Sequence, residues 1–210
     1  SAVPLYQAAV ESFVPFAGDA ELLDAAMKGD GDALASPEIT AWLESNRAAL
    51  VRLQEGNELP YRGAPSQSDS GYLVGILLPN LSPLRQLSRV AVLEGKRAEL
   101  DGRPQDAVNN YLTAIKTGAQ VSHGVTLIEQ LVGVAQQRAG SDALLDAMAG
   151  THAAPLDYES LAQRLESEYR PLRPMASAIQ GERAMMLDLV QTSFERDPET
   201  GDYRVQPDAL

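Results

Sequence analysis

The chain has 210 residues, of which 44% are hydrophobic and 22% are charged, and its formal net charge is −12. This composition is typical of a globular protein with its own hydrophobic core and excludes a chain that is disordered throughout. The acidic balance argues against general binding to nucleic acid, which depends on clustered lysine and arginine. The sequence contains no cysteine, so disulfides, thiolate metal sites and thiol nucleophiles are excluded.

Signals for membrane insertion and for catalysis are absent from the sequence. The longest apolar run, YLVGILLP over 72–79, is far shorter than the roughly 20 residues that a membrane-spanning helix needs. His123 and His152 do not lie in the HExxH or Glu-x-x-His arrangements that would put two metal ligands on one helical face. Nucleophile-elbow, phosphate-loop and dinucleotide motifs are also missing. We therefore expect no direct membrane insertion of this segment, no catalytic residue, no bound metal and no cofactor.

The first part of the chain predicts three helices. Proline at the first helical position and apolar residues at helical spacing indicate a helix over 4–14, and an acidic first turn indicates another over 19–28. The sequence Ser-Pro-Glu at 36–38 is a helix start, because serine can cap free backbone amides and proline fits the first turn. The third helix is predicted to run as one element over 36–55, with Gly56 as its C-terminal cap.

A long loop is predicted over 57–71, NELPYRGAPSQSDSG, since this stretch has neither helical nor strand periodicity. Loops of this length inside a compact domain are often functional. Tyr61 and Arg62 place an aromatic ring and a guanidinium side by side, as binding loops often do. The loop is therefore a candidate binding segment and a candidate subdivision of the domain, with disorder or a simple connection as the alternative. After it, a short apolar helix is predicted over 72–78 and a long helix over 82–101.

Further helices are predicted in the second half of the chain. A helix over 104–116 is expected to end at a cap formed by Gly118, and a later helix is expected to end near 139, where Gly140 begins a shorter one. The later helix carries an apolar stripe of five residues: Val125, Ile128, Leu131, Val132 and Ala135. Two more helices are predicted around 158–169 and 175–195.

The chain is predicted to be all-α, because no segment offers several alternating strands. We expect one helical domain over 1–196, followed by an extended C-terminal tail over 197–210.

Residues 94–117 indicate two helices that fold back on one another across a tight turn. From Gly102 onward the sequence GRPQDAVNNYLTAI places glycine at the end of one helix and small and aromatic residues along the next. This pattern resembles the second half of a tetratricopeptide repeat. The resemblance implies that six positions hold the two helices together: Gly95, Ala98, Gly102, Ala107, Tyr111 and Ala114.

The resemblance implies a fold of irregular antiparallel helical hairpins, arranged as a right-handed tetratricopeptide-like solenoid or as a bundle. Ala91 and Glu94 depart from the repeat pattern, since a large aromatic and an aliphatic residue are usual at those positions. A repeat protein needs at least about three units to bury a continuous core, and no clean period links this hairpin to a second unit. An ordinary antiparallel pair inside a bundle therefore stays open.

A broader resemblance bears on location. The stretch LPNLSPLRQLSRVAVLEGKRAELDGRPQDAV, followed by GVTLIEQLVGVA, is similar to uncharacterised helical proteins of bacteria that are often exported. The chain opens at Ser1 without a methionine, and this start leaves open whether an export signal or a lipid anchor was removed. We therefore expect a periplasmic or secreted location, with a cytoplasmic one as the alternative.

Four basic residues form a candidate binding ridge. At 100° per residue, Arg85, Arg89, Lys96 and Arg103 fall within about 40° of one another around a helix. A positive ridge on an otherwise acidic chain would suit an acidic peptide or the acidic end of another copy of the chain. The alternative is that these side chains pair with acidic neighbours or face water.

The helical hairpin, together with the absence of catalytic motifs, predicts a non-catalytic scaffold or binding module with a groove for a protein or peptide partner. One alternative is a hydrolase that uses carboxylates in a cleft between helices. Another is a purely structural domain of the cell envelope. The sequence does not predict the oligomeric state.

Overall fold

Most of the described chain is helical, which confirms the all-α class in its coarse form. The computed structural model describes residues 1–60, 73, 78, 80–150, 158–168, 174–196 and 199–205. Within these residues lie ten helices: α1 (Val3–Glu11), α2 (Ala20–Met27), α3 (Gly31–Leu34), α4 (Pro37–Ser45), α5 (Arg47–Asn57), α6 (Leu81–Leu100), α7 (Pro104–Val121), α8 (Leu127–Ala149), α9 (Tyr158–Glu168) and α10 (Met175–Ser193). An antiparallel hairpin follows, formed by β1 (Phe194–Arg196) and β2 (Tyr203–Val205).

Several sequence predictions fall outside the described residues. They comprise Tyr61 and Arg62 of the candidate binding loop, His152, and most of the short helix predicted over 72–78. Part of the tail predicted over 197–210 is described, and that part contains strand β2.

Helices α6 and α7 form an antiparallel hairpin across a short turn. Gly102 lies in this turn with a φ of 70°, a left-handed conformation that glycine adopts without strain. The N–H of Arg103 donates to the carbonyl oxygen of Ala98 at 2.8 Å, and the N–H of Gly102 donates to that of Glu99 at 3.0 Å. These two bonds form a Schellman cap that satisfies carbonyl groups at the end of α6, so α7 folds directly back on α6.

The contact between α6 and α7 is lined by small side chains and one large ring. The six positions that the tetratricopeptide resemblance singles out all lie in this hairpin, and those other than Gly102 are buried. Tyr111 is the only large side chain among them, and it is fully buried. The hairpin therefore holds α7 in a fixed position against α6.

Helices α7 and α8 approach one another through glycines. A Cβ added to Gly118 would lie 2.5 Å from the carbonyl oxygen of Gly133, and one added to Gly140 would lie 2.9 Å from that of Tyr111. The two backbones are therefore in close contact along this seam. The sequence prediction that Gly118 ends a helix and Gly140 begins one is wrong, because both glycines lie inside continuous helices.

The packed face of α8 is polar and small. Its buried residues in the glycine region are Gln130, Gly133, Gln136, Gln137 and Gly140. Much of the apolar stripe expected from the sequence is exposed instead, with exposed fractions of 45% for Val125, 55% for Ile128 and 53% for Leu131. Helix α8 turns its glycines inward because only they allow the backbone of α7 to come this close.

Helices α4 and α5 meet at Asn46, whereas the sequence predicted a single helix over 36–55. The fully buried side chain of Asn46 donates to the carbonyl oxygen of Val14 and accepts from its N–H, both at 2.9 Å. The indole N–H of Trp42 donates to the same carbonyl oxygen at 2.7 Å. These bonds fix the segment between α1 and α2 against the junction, and they draw the Asn46 side chain into a contact that sequence periodicity does not show.

The start of helix α4 is capped as predicted, since Ser36 Oγ accepts from the N–H of Ile39 at 3.3 Å.

Helix α5 links the N-terminal helices to the hairpin. Helix α5 packs against α1 on one side and against α6 and α7 on the other. Its C-terminal end is thereby placed beside the outer face of α7.

Helix α10 packs against α8. The N–H of Leu127, at the start of α8, donates to Glu182 Oε1 of α10 at 2.7 Å. Most residues of α10 are exposed or only half-buried. No helix in the described part of the chain has the length and hydropathy needed to cross a membrane.

Candidate functional site

A cleft of about 450 Å³ runs along α7, between the C-terminal end of α5 and helix α9. Its lining is mainly polar, and three helices that are distant in sequence contribute to it. Side-chain amides and basic groups make up most of this lining, so the cleft differs from the apolar pockets that usually hold small molecules.

One face of α7 supplies the floor of the cleft. Asp106, Asn109, Thr113 and Lys116 follow one another at steps of three or four residues, and Asn110 is four residues after Asp106, which places all five on the same side of a helix. The opposite side of α7 packs against α6 and α8. Because that packing is close, the polar face of α7 is held rigidly.

Asn57 joins the two walls of the cleft. Its side-chain nitrogen donates to the carbonyl oxygen of Thr113 and to Thr117 Oγ1, each at 3.1 Å. Its side-chain oxygen accepts from the hydroxyl groups of Tyr6 at 2.5 Å and Thr117 at 3.3 Å. The amide of Asn57 therefore fixes the end of α5 to α7 and is not available to a ligand.

Other amides of the cleft have part of their surface open. Gln54 donates to Asn110 Oδ1 at 3.3 Å, and Asn110 donates to the backbone oxygen of Asp106 at 3.0 Å. From α9, Arg164 donates to Asn109 Oδ1 at 2.8 Å. Asn109 is exposed and Asn110 is half-buried, so both can also contact a molecule in the cleft.

A lysine and a glutamate close one end of the cleft. Lys116 Nζ lies 2.7 Å from Glu58 Oε1. The Lys116 side chain is only 13% exposed, whereas that of Glu58 is 70% exposed. The cation is thus built into the floor and its carboxylate partner lies at the surface.

Arg103 lies at the opposite end. Its guanidinium contacts Asp101 at 2.9 Å and Asp106 at 2.6 Å. Hydrogen bonds to the carboxylates of Asp101 and Asp106 raise the pKa of Arg103. Between Asp106 and Lys116 the helix advances about 15 Å, which sets the length of the cleft.

The structure brings one residue of the predicted basic ridge into the cleft, namely Arg103. Arg85 and Arg89 lie on α6, and no carboxylate of the described residues lies within 4.0 Å of either. Lys96 extends toward the turn after α2, where a Cβ on Gly29 would lie 3.4 Å from its Nζ. The ridge residues therefore have three different surroundings.

Sequence reasoning missed Asn57, Lys116 and the amides of α7. The polar residues of α7 do recur at helical spacing, but such a pattern is also typical of a solvated helix face. The partners of Asn57 are up to 60 residues away along the chain. Spacing within a single segment could not have revealed them.

One further carboxyl group has a perturbed environment. Burial raises the pKa of Glu94, and the nearby positive charges of Arg97, Arg47 and Arg103 oppose this shift. Glu94 does not line the cleft.

His123 lies at a second, smaller cavity of about 250 Å³ formed with the chain around Glu58 and with Gln120. Within the described ranges, no group of three or more histidine, aspartate or glutamate side chains is placed to hold a metal ion. This second cavity adjoins the Glu58 end of the cleft, since Asn57 and Glu58 line both.

We find no match to this chain among protein-family models, curated proteins or solved structures. The tetratricopeptide resemblance therefore rests on the residues of the α6–α7 hairpin alone.

Proposed function

We propose that the protein is a non-catalytic binding module that holds an extended peptide segment of a protein partner in the cleft along α7. The observation that carries this proposal is the lining of the cleft, in which side-chain amides and cations from three helices face one elongated space. The sequence also predicts a binding module with a groove. The proposal locates that groove between α5, α7 and α9.

The chemistry of the lining suits a peptide backbone. Every peptide unit carries one donor and one acceptor, and a side-chain amide offers both kinds of group without a net charge. Asn109, Asn110 and Gln54 line the cleft and are positioned to make such bonds. An extended peptide rises about 3.3 Å per residue, so the 15 Å floor accommodates roughly four or five residues.

The rigidity of α7 supports the same function. Its inner face is packed against α6 through Gly95 and against α8 through Gly118, so binding requires little ordering of the floor. Preorganisation of this kind reduces the entropic cost of association. The hairpin that resembles a tetratricopeptide unit would thus serve as the support of the binding surface.

The arrangement of acids in the cleft favours binding over carboxylate-based hydrolysis. Glu58 and Asp106 both line it, and each is paired with a cation, Lys116 and Arg103 respectively. The two pairs are about 15 Å apart along α7, whereas hydrolytic carboxyl pairs are roughly 5 to 9.5 Å apart.

The proposal is tested by selecting peptides from a random displayed library on the wild-type protein and measuring their affinity by fluorescence anisotropy. In the variant Asn109→Tyr, an exposed position on the floor receives a bulky ring that should fill the cleft. The matched control is Gln7→Tyr, which places the same ring at an exposed position on α1. We expect the selected peptides to bind the control as they bind wild type and to lose affinity for Asn109→Tyr. Equal binding to both variants would refute the assignment of the cleft.

A further inference from the structure

The ion pair between Lys116 and Glu58 is unusually asymmetric. Its lysine side chain is 13% exposed and its glutamate side chain is 70% exposed. The pair formed by Lys28 and Asp24 on α2 is different, since its side chains are 74% and 64% exposed. The Lys116 side chain is held in the floor of the cleft, whereas the Glu58 side chain lies mostly in water and can be solvated without Lys116.

Glu58 is free to leave because of its position in the chain. It is the C-terminal cap residue of α5, so its side chain can rotate into water without disturbing a helix interior. The end of α5 is held independently by the bonds from Asn57 to Thr113 and Thr117. Replacing Glu58 at Lys116 therefore needs no change in the backbone.

We propose that Lys116 is a carboxylate-binding position in the cleft and that Glu58 occupies it until the carboxylate of an acidic peptide takes its place. This inference rests on the proposed peptide-binding function and adds the class of peptide that is bound. The ligand carboxylate would accept from the ammonium group of Lys116, and Glu58 would turn outward into solvent. An uncharged peptide gains nothing at this position and leaves Glu58 in place.

The surroundings of Lys116 suit a carboxylate better than a phosphate. The ammonium group is the only cation at this end of the cleft among the described lining residues, which here include Asn57, Thr113 and Glu58. A doubly charged phosphate is usually bound by several cations or by a bidentate arginine. A singly charged carboxylate requires only one cation and restores the balance that Glu58 now provides.

Three peptide probes distinguish the source of the carboxylate. The first is acetyl-Ser-Gly-Glu-Gly-Ser-amide, which carries a carboxylate only on its side chain. The second replaces glutamate by glutamine and keeps the terminal amide, so it has no carboxylate. The third has glutamine and a free C-terminal carboxylate. Each probe is titrated at millimolar concentration into the isotope-labelled protein, and the backbone amide signals of Thr113 to Lys116 are followed by NMR.

Two cleft variants and two matched controls complete the experiment. Glu58→Gln removes the competing carboxylate, and Lys116→Met removes the cation while retaining a side chain of similar length. Asp24→Asn and Lys28→Met make the same changes in the exposed pair on α2. We expect Glu58→Gln to tighten binding of a carboxylate probe about threefold to fivefold, the strength of a surface ion pair. Lys116→Met should weaken it at least about tenfold. The controls should match wild type.

The outcomes separate this inference from the function on which it rests. Preference for the first or the third probe over the second supports the inference and identifies a side-chain or a terminal carboxylate as the ligand group. Equal binding of all three probes overturns the inference and leaves the peptide-binding function standing. Absence of binding by any probe overturns both. If Lys116→Met does not fold, the affinity of the Glu58→Gln variant for the carboxylate probes tests the inference. An affinity equal to that of wild type also overturns it.

Discussion

The ring of Tyr111 lies directly on the backbone of Gly95. A Cβ added to Gly95 would overlap Cε1 of Tyr111, so one of the two would have to move. The ring is fully buried, and its hydroxyl group donates to Glu99 Oε1 of the same helix as Gly95. Helices α6 and α7 can pack at this spacing only because Gly95 has no side chain, and the floor of the cleft depends on that spacing.

The variant Gly95→Ala should therefore lose stability. Because the Tyr111 ring is enclosed on all sides, it cannot turn away, and overpacking of this kind costs about 1–3 kcal/mol. Urea denaturation followed by circular dichroism measures the difference in free energy of unfolding. Gly31→Ala is the matched control, since no atom lies within 4 Å of the added Cβ. If the two alanine variants were equally stable, the contact would not limit the packing of the hairpin.

A second prediction concerns Asn46, which holds the segment between α1 and α2. Replacing it with alanine removes the two bonds to Val14 and the bond to the carbonyl oxygen of Trp42. We expect Asn46→Ala to lower the free energy of unfolding by about 2–3 kcal/mol, because the N–H of Val14 loses its partner and its carbonyl oxygen keeps only the bond from Trp42. Asn109→Ala, at an exposed position, should change it by less than about 0.5 kcal/mol. Comparable losses in the two variants would contradict the assigned role of Asn46.

The α6–α7 hairpin was predictable because its determinants are local. Gly102, the residues that form the cap around it and the small residues on either side lie within a short stretch of sequence. Their conformational preferences and their contacts agree, so the pattern in the sequence is also the pattern in the fold. The same holds for the start of α4 at Ser36.

The features that sequence reasoning missed depend on contacts between distant segments. Helical periodicity continues through Asn46, and the break there is explained by a partner 32 residues away. Helix α8 has an apolar side and a glycine side, and the backbone of α7 selects the glycine side through Gly133 and Gly140. The cleft likewise joins α5 to α7 through Asn57, whose hydrogen-bond partners lie on α1 and α7. The spacing of residues within one helix does not predict contacts between segments that are distant in sequence.

A third prediction uses the environment of Glu94. Burial raises its pKa above the ordinary value of 4.5, which means that folding favours the protonated form. Its contribution to stability is therefore fully present below that ordinary value and is lost as the pH rises through the raised pKa. Glu94→Gln keeps the shape of the protonated side chain without the charge. The variant should be more stable than wild type near neutral pH, by less than about 1 kcal/mol because the group is partly solvated.

Thermal denaturation across a pH series checks this prediction. The gain of Glu94→Gln should shrink as the pH falls and vanish well below 4.5, where the wild-type glutamate is itself protonated. Asp142→Asn on α8 is the control, since that carboxylate is exposed and paired with Arg138. A gain that is independent of pH would show that packing, and not the charge of Glu94, is responsible.

The last prediction separates the cleft from the basic ridge that the sequence suggested. In the double variant Arg85→Glu and Arg89→Glu, two charges on α6 are reversed while the lining of the cleft is untouched. A control, Arg138→Glu with Arg183→Glu, changes the net charge by the same amount at other sites. At physiological salt, charges beyond about 8 Å are largely screened, so only direct contacts should matter. We expect peptides selected on the wild-type protein to bind both double variants with equal affinity in fluorescence anisotropy. A loss confined to the first variant would place the peptide on the ridge instead of in the cleft.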